Sequence, residues 1–222
     1  MSGGLGALVH RTRLAASKPR GALVLFHGRG TDERDLVPLL EALDPEEQLI
    51  GLTPRAPLAL TSGGAHWYAV RRVGYPDRET FHGTFDRAAG WLDSLPGATG
   101  VPLERTVLGG FSQGGVMAYA LGLGAGRPAP AGILALSSFI PVVEGFELDL
   151  GAREGFRVAI GHGVYDPIIG VEHGRSARER LVSAAADVTY REAPIAHAID
   201  PESLPDLSRW LDETLAAPER NG

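Results

Sequence analysis

Cysteine is absent from the 222-residue sequence, and lysine occurs once, at Lys18, among 21 basic residues. Without cysteine there is no disulfide, thiolate nucleophile, iron–sulfur ligation or thiolate zinc site. A Walker phosphate loop, a Schiff base and a Ser–Lys dyad each place a lysine inside a motif. Lys18 lies in ASKPR, a polar stretch that reads as a turn. Positive charge is short as well. The formal net charge is −6 at pH 7 with no basic cluster, which speaks against a nucleic-acid partner. Long apolar runs are missing too. The longest, AGILALSSFIPVV, falls short of the roughly 20 residues a spanning helix needs. The N-terminal MSGGLGALVHRTRLAASKPR lacks the apolar core of a signal peptide. A cytoplasmic protein with no stable membrane insertion is expected.

What is present is a globular composition, 44% hydrophobic and 22% charged. A chain of this length buries most of its extended surface without cross-links; length alone fits one α/β domain as well as two small ones, and one over 1–222 is the expectation. Short β-rich apolar runs recur at 7–10, 21–27, 48–52, 105–110, 131–138, 156–162 and 188–193. Several are almost continuously apolar, as strands buried on both faces must be. Helical patterns lie between them, at RDLVPLLEAL (34–43, with Asp35 as cap), 85–95, 175–186 and 203–216. Strands alternating with helices predict an α/β fold, a mostly parallel sheet with helices on both faces. Segment 54–78 shows neither pattern and reads as a long irregular loop, whose aromatics favour a functional role.

One stretch stands out. GGFSQGG (109–115) sets Ser112 between two pairs of glycines, at the junction of a predicted strand and a predicted helix. Residues 110–114 fit G-x-S-x-G, the tight strand-to-helix turn of a nucleophilic serine. The glycines allow strand and helix to approach closely, and the helix start offers the free N–H of Gln113. A serine nucleophile needs a base and an acid, in chain order serine, acid, histidine. His197, in PIAHAIDP, follows the last predicted strand at its carboxyl end and is the expected base. His173 opens a predicted helix and reads as a solvated residue. Asp166, in GHGVYDPIIG, follows strand 156–162, and its Asp-Pro step projects the carboxylate. Asp149 is the weaker alternative, and Asp187 sits at the wrong end of its strand. His162 has no second histidine at ligand spacing, so a metal site is not expected.

A second oxyanion donor is expected from the loop after an earlier strand, and LVLFHGRGTDE supplies the backbone N–H of Arg29. Its guanidinium either meets solvent or faces an anionic substrate end. His27 reads as a loop-fixing hydrogen-bonder.

LFHGRGTDERDLVPLLEAL, GGFSQGG, GHGVYDP and AHAIDP, in that order, resemble the phospholipase/carboxylesterase family that includes the acyl-protein thioesterases, over about residues 20–215. The resemblance implies an α/β-hydrolase fold without a large cap domain, a Ser–Asp–His triad, and hydrolysis of carboxylic esters, often with short or medium acyl chains. By position these roles fall on Ser112, Asp166 and His197, with Arg29 and Gln113 as oxyanion donors. GGAHWY resembles the family's Trp-containing loop and brings in Trp67. Two departures stand out: Arg29 replaces an apolar residue of the eukaryotic thioesterases, and Ala196 stands where a glycine commonly precedes the histidine.

The expectation is therefore a serine carboxylesterase that needs neither cofactor nor metal and takes small-molecule esters. A thioesterase or lysophospholipase would use the same machinery. A non-catalytic relative binding a small ligand is the alternative of another class. Trp67, Phe139 and Ile168 all lie at the expected carboxyl edge of the sheet and should shape a short acyl pocket. Two-fold homodimers are common at this size, which is the one ground for expecting one here.

Overall fold

The computed structural model describes residues 8–216. Residue 7 of the expected first strand and both ends of the 1–222 span lie outside them. The chain begins with β1 (His10–Arg13), β2 (Gly21–Phe26), α1 (Val37–Leu43) and β3 (Leu49–Pro54). Four short strands follow: β4 (Leu58–Ala59), β5 (Ala65–His66), β6 (Val70–Arg72) and β7 (Tyr75–Pro76). Then come α2 (Arg78–Asp93), α3 (Leu95–Thr99), β8 (Thr106–Phe111), α4 (Gln113–Leu123) and β9 (Gly132–Leu136). The last elements are β10 (Arg157–Gly163), α5 (Val171–Ser183), β11 (Asp187–Ala193) and α6 (Leu204–Ala216).

Seven strands form one sheet in the order β1-β3-β2-β8-β9-β10-β11. Only β1 runs antiparallel to its neighbour. All other pairs are parallel, which gives the α/β-hydrolase arrangement. The continuously apolar strands follow from burial on both faces. In β2, Ala22, Val24 and Phe26 join one core while Leu23 and Leu25 join the other. β9 divides likewise, Ile133 and Ala135 against Leu134 and Leu136. Helices α2, α4 and α5 cover the first face, and α1 and α6 cover the second.

Helix α4 is buried along its whole length. It passes so close to β2 that a Cβ on Gly114 would fall 1.8 Å from the Phe26 carbonyl oxygen. No other residue fits there.

Several elements depart from expectation. β1 lies at 10–13, later than 7–10, because an edge strand needs no apolar run: its sequence is HRTR. Asp35 does not cap α1, which starts after Leu36 with no side-chain cap. Helix α2 starts at Arg78, well before 85, since Asp77 caps it by accepting the Thr80 N–H. Segment 54–78 is not irregular throughout but folds into two antiparallel ribbons, β4–β5 and β6–β7. Strands of two or three residues are too short for a period to be read.

Candidate active site

Ser112 caps the N-terminus of α4 with φ 55° and ψ −122°. A side chain at positive φ is strained, and such strain persists only where the surroundings over-determine it. Here the Ser112 N–H donates to the Leu136 carbonyl (2.9 Å), and its own carbonyl accepts from Val116 N–H (3.2 Å). The residue is only 8% exposed. The turn thus holds one hydroxyl at the carboxyl end of the central strands.

His197 lies in the loop after β11. Its Nε2 is 2.9 Å from Ser112 Oγ, and its Nδ1 is 2.6 Å from Asp166 Oδ2. The imidazole also packs on Phe111, with ring centroids 4.8 Å apart. The loops after β10 and β11 are laced together: Val164 N–H donates to Ala193 O, and Tyr165 N–H to Ile195 O. A Cβ on Gly163 would fall 2.2 Å from the Ala196 carbonyl oxygen, so this glycine lets the histidine's loop close over the end of β10.

The second carboxylate oxygen of Asp166 accepts the N–H groups of Ile168 (2.8 Å) and Ile169 (2.9 Å). Burial alone would raise the Asp166 pKa. The hydrogen bond to His197 and those two N–H groups outweigh it and hold the carboxyl below its ordinary value. His162 supports the same turn. Its Nε2–H donates to the Ile169 carbonyl at 2.8 Å, and it lies 3.7 Å from Asp166 Oδ2. Since a carbonyl only accepts, the neutral tautomer leaves Nδ1 without a proton. Burial lowers the His162 pKa and keeps it neutral, and its Nδ1 is buried with no partner among the described residues. No group of three potential metal ligands occurs among the described residues.

Neither the Gln113 N–H nor the Arg29 N–H donates a hydrogen bond among the described residues. The Gln113 side chain is occupied: Oε1 accepts the Trp67 N–H (3.0 Å) and Nε2 donates to the Tyr68 carbonyl (2.8 Å). It thereby ties the start of α4 to the segment after β5. Trp67 donates its indole N–H to the His27 carbonyl (2.8 Å). His27 fixes its own loop, with Nδ1–H donating to the Gly28 carbonyl and Nε2 accepting the Ala56 N–H. Burial lowers its pKa and keeps it neutral, as the bond accepted by Nε2 from Ala56 requires.

Beside Ser112 and His197 opens a cleft of about 380 Å³, walled by Arg29, Asp35, Leu36, Phe111 and Ile199. None of the three residues expected to shape it is there. Trp67 is fully buried, edge-on to Phe26. Phe139 is also buried and packs on His173, which is half-buried rather than solvated. Ile168 points outward, 58% exposed, and contributes its backbone N–H to Asp166. Lying near the carboxyl edge of the sheet does not decide where a side chain turns. Leu36 and Phe111, which do wall the cleft, lie within the motifs around Arg29 and Ser112. Of the alternative acids, Asp187 opens β11 at the far end of the sheet, 3.6 Å from Arg157.

A family model described as Phospholipase/Carboxylesterase matches residues 10–215. Acyl-protein thioesterase 1 of Gibberella zeae is 26% identical, over 90% of this chain and 93% of its own. Esterase PE8 superposes with a TM-score of 0.77 at 26% identity, covering 93% of this chain and 99% of that one. The Bacillus cereus carboxylesterase gives a TM-score of 0.80 at 23% identity, covering 93% and 94%.

Proposed function

The chain belongs to the phospholipase/carboxylesterase family and is a serine hydrolase, and we propose that it cleaves short-to-medium acyl esters of small molecules through Ser112, His197 and Asp166. The observation that carries this reading is the continuous relay from Ser112 Oγ through His197 to Asp166, with contacts of 2.9 and 2.6 Å. Ser112 Oγ attacks the ester carbonyl as His197 Nε2 takes its proton. The backbone N–H groups of Arg29 and Gln113 receive the developing oxyanion. His197 then returns the proton to the leaving alcohol, and water repeats the sequence on the acyl-enzyme. Asp166 keeps the imidazole in the tautomer with its proton on Nδ1.

The size of the cleft, at the small end of the roughly 300–1,000 Å³ common for ligand sites, supports short acyl groups. Thioester cleavage is a second reading, favoured by the likeness to an acyl-protein thioesterase. It needs no change in the relay. A non-catalytic relative would be expected to have lost a triad member, and here Ser112, His197 and Asp166 are all present and in contact. We take residues 1–222 as a single domain, working without a cofactor in the cytoplasm. Among the described residues no helix is long and apolar enough to cross a membrane.

A chain-length series of nitrophenyl esters and matched thioesters tests the reading. Catalytic efficiency should peak at roughly four to eight carbons, because each methylene that fits adds up to about 0.8 kcal/mol of burial. A profile rising steadily to sixteen carbons would replace the short-ester reading with a thioesterase or lysophospholipase.

A further inference from the structure

We propose that the Arg29 side chain makes the site selective for esters that carry a carboxylate, such as half-esters of short dicarboxylic acids. This rests on the esterase reading above and adds the substrate class. Arg29 is exposed and lines the cleft together with Ser112 and His197. Among the described residues its guanidinium forms no ion pair and no hydrogen bond. The nearby arginines differ. Arg55 pairs with Glu33 (3.0 Å) and Asp32 (3.6 Å), and Arg34 with Asp32 (3.5 Å). Asp32 and Glu33 are thus taken by two other cations, and Arg29 lines the cleft with its charge unpaired among the described residues.

The other charge in the cleft wall is Asp35, whose carboxylate accepts the Thr31 hydroxyl (3.0 Å) and does not reach Arg29. The remaining walls include Leu36, Phe111 and Ile199. Apolar walls strengthen a charge–charge attraction relative to open water. A guanidinium presents a planar fork of donors that matches a carboxylate in a bidentate manner. The backbone N–H of the same residue is assigned to the oxyanion, so the side chain starts beside the carbonyl under attack. A free carboxylate a few bonds from that carbonyl falls within its reach. Asp35 opposes the same substrate, so the two charges should act with opposite sign. The reaction itself is unchanged: the acyl–oxygen bond breaks, hydroxide from water joins the acyl carbon, and the alcohol leaves with a proton.

The test compares nitrophenyl hydrogen glutarate with nitrophenyl methyl glutarate, which differ in charge and little in shape. The readout is the ratio of kcat/KM for the anionic over the neutral ester. Arg29→Ala should lower that ratio roughly fivefold to tenfold, as expected for one partly solvated charge-assisted contact. Arg29→Lys should keep part of it, and Asp35→Asn should raise it. Raising the salt from about 0.05 to 0.5 M should lower the wild-type ratio, whereas that of Arg29→Ala, with only the opposing Asp35 left to screen, should not fall. An Arg29→Ala ratio equal to wild type overturns the proposal and leaves the esterase reading standing. Wild-type protein that hydrolyses neither ester overturns the esterase reading, and this proposal with it.

Discussion

Asp166 and His197 meet at 2.6 Å although they follow different strands, β10 and β11, paired in parallel at the edge of the sheet. The contact depends on two loops closing over one another, with two backbone N–H groups gripping the far carboxylate oxygen. On the proposed mechanism, Asp166→Asn should leave the imidazole in the wrong tautomer and cost about 10⁴-fold in kcat. Asp149→Asn should cost little. Steady-state rates of the two variants decide the matter, and the opposite ranking would move the acid role to Asp149.

The same contact sets a dependence on acid. The folded-state pKa of Asp166 lies below its ordinary value, so the unfolded chain takes up this proton first as the pH falls. Its contribution to stability is complete above the unfolded carboxyl value of about 4 and is lost as the pH drops through the folded value. Melting temperatures measured from pH 6 to pH 2 should fall less steeply for Asp166→Asn than for wild type. Parallel curves would show that the contact contributes nothing to acid sensitivity.

The strain at Ser112 separates two substitutions that both remove the hydroxyl. Ser112→Ala and Ser112→Gly should each lose on the order of 10⁴-fold or more in turnover. Only glycine accepts φ 55° without a Cβ penalty. Ser112→Gly should therefore be more stable than Ser112→Ala by about 1 kcal/mol, after allowing for the added freedom of its unfolded chain. Denaturant midpoints would measure this, and equal midpoints would mean the backbone there stores no strain.

Gln113 offers a test of how the turn is held. Gln113→Ala keeps the backbone N–H assigned to the oxyanion but strands the buried Trp67 N–H and Tyr68 carbonyl. Each buried unsatisfied group costs about 1–3 kcal/mol, so a lowered melting temperature should accompany any loss of kcat. Gln113→Glu can still accept from Trp67 but sets a buried carboxylate oxygen against the Tyr68 carbonyl, so it should be destabilised at least as much as Gln113→Ala in the same measurement.

His162 touches the turn of Asp166 from behind, through the Ile169 carbonyl. His162→Phe should lower kcat about tenfold, the worth of a hydrogen bond of about 1.4 kcal/mol, with KM little changed. His162→Gln, whose amide can still donate, should recover part of the loss. Equal kcat in all three proteins would mean that the turn holds itself.

How far the sequence could be read depended on how local each signal was. The serine turn was legible because its constraint is written in adjacent residues: Gly114 has no room for a Cβ against β2. Asp166 and His197 were legible from chain order and from which end of a strand each follows. The cleft wall was not. Whether Trp67 turns inward to His27 or outward to solvent depends on Phe26 and Gln113, both far from it in sequence. The start of α2 was missed because its signal is one capping carboxylate, Asp77, rather than an apolar stripe.

The order of the elements has a consequence for synthesis. Ser112 follows β8, near the middle of the sheet, whereas His197 follows β11, its last-made edge. The strands around the serine, β2, β3, β8 and β9, all precede Asp166 and His197 in the order of synthesis. Until those two residues are made the hydroxyl has no base, and an ester that reached it would survive. On the proposed relay, hydrolysis can begin only when β11 has joined the sheet, because His197 arrives with the loop that follows it.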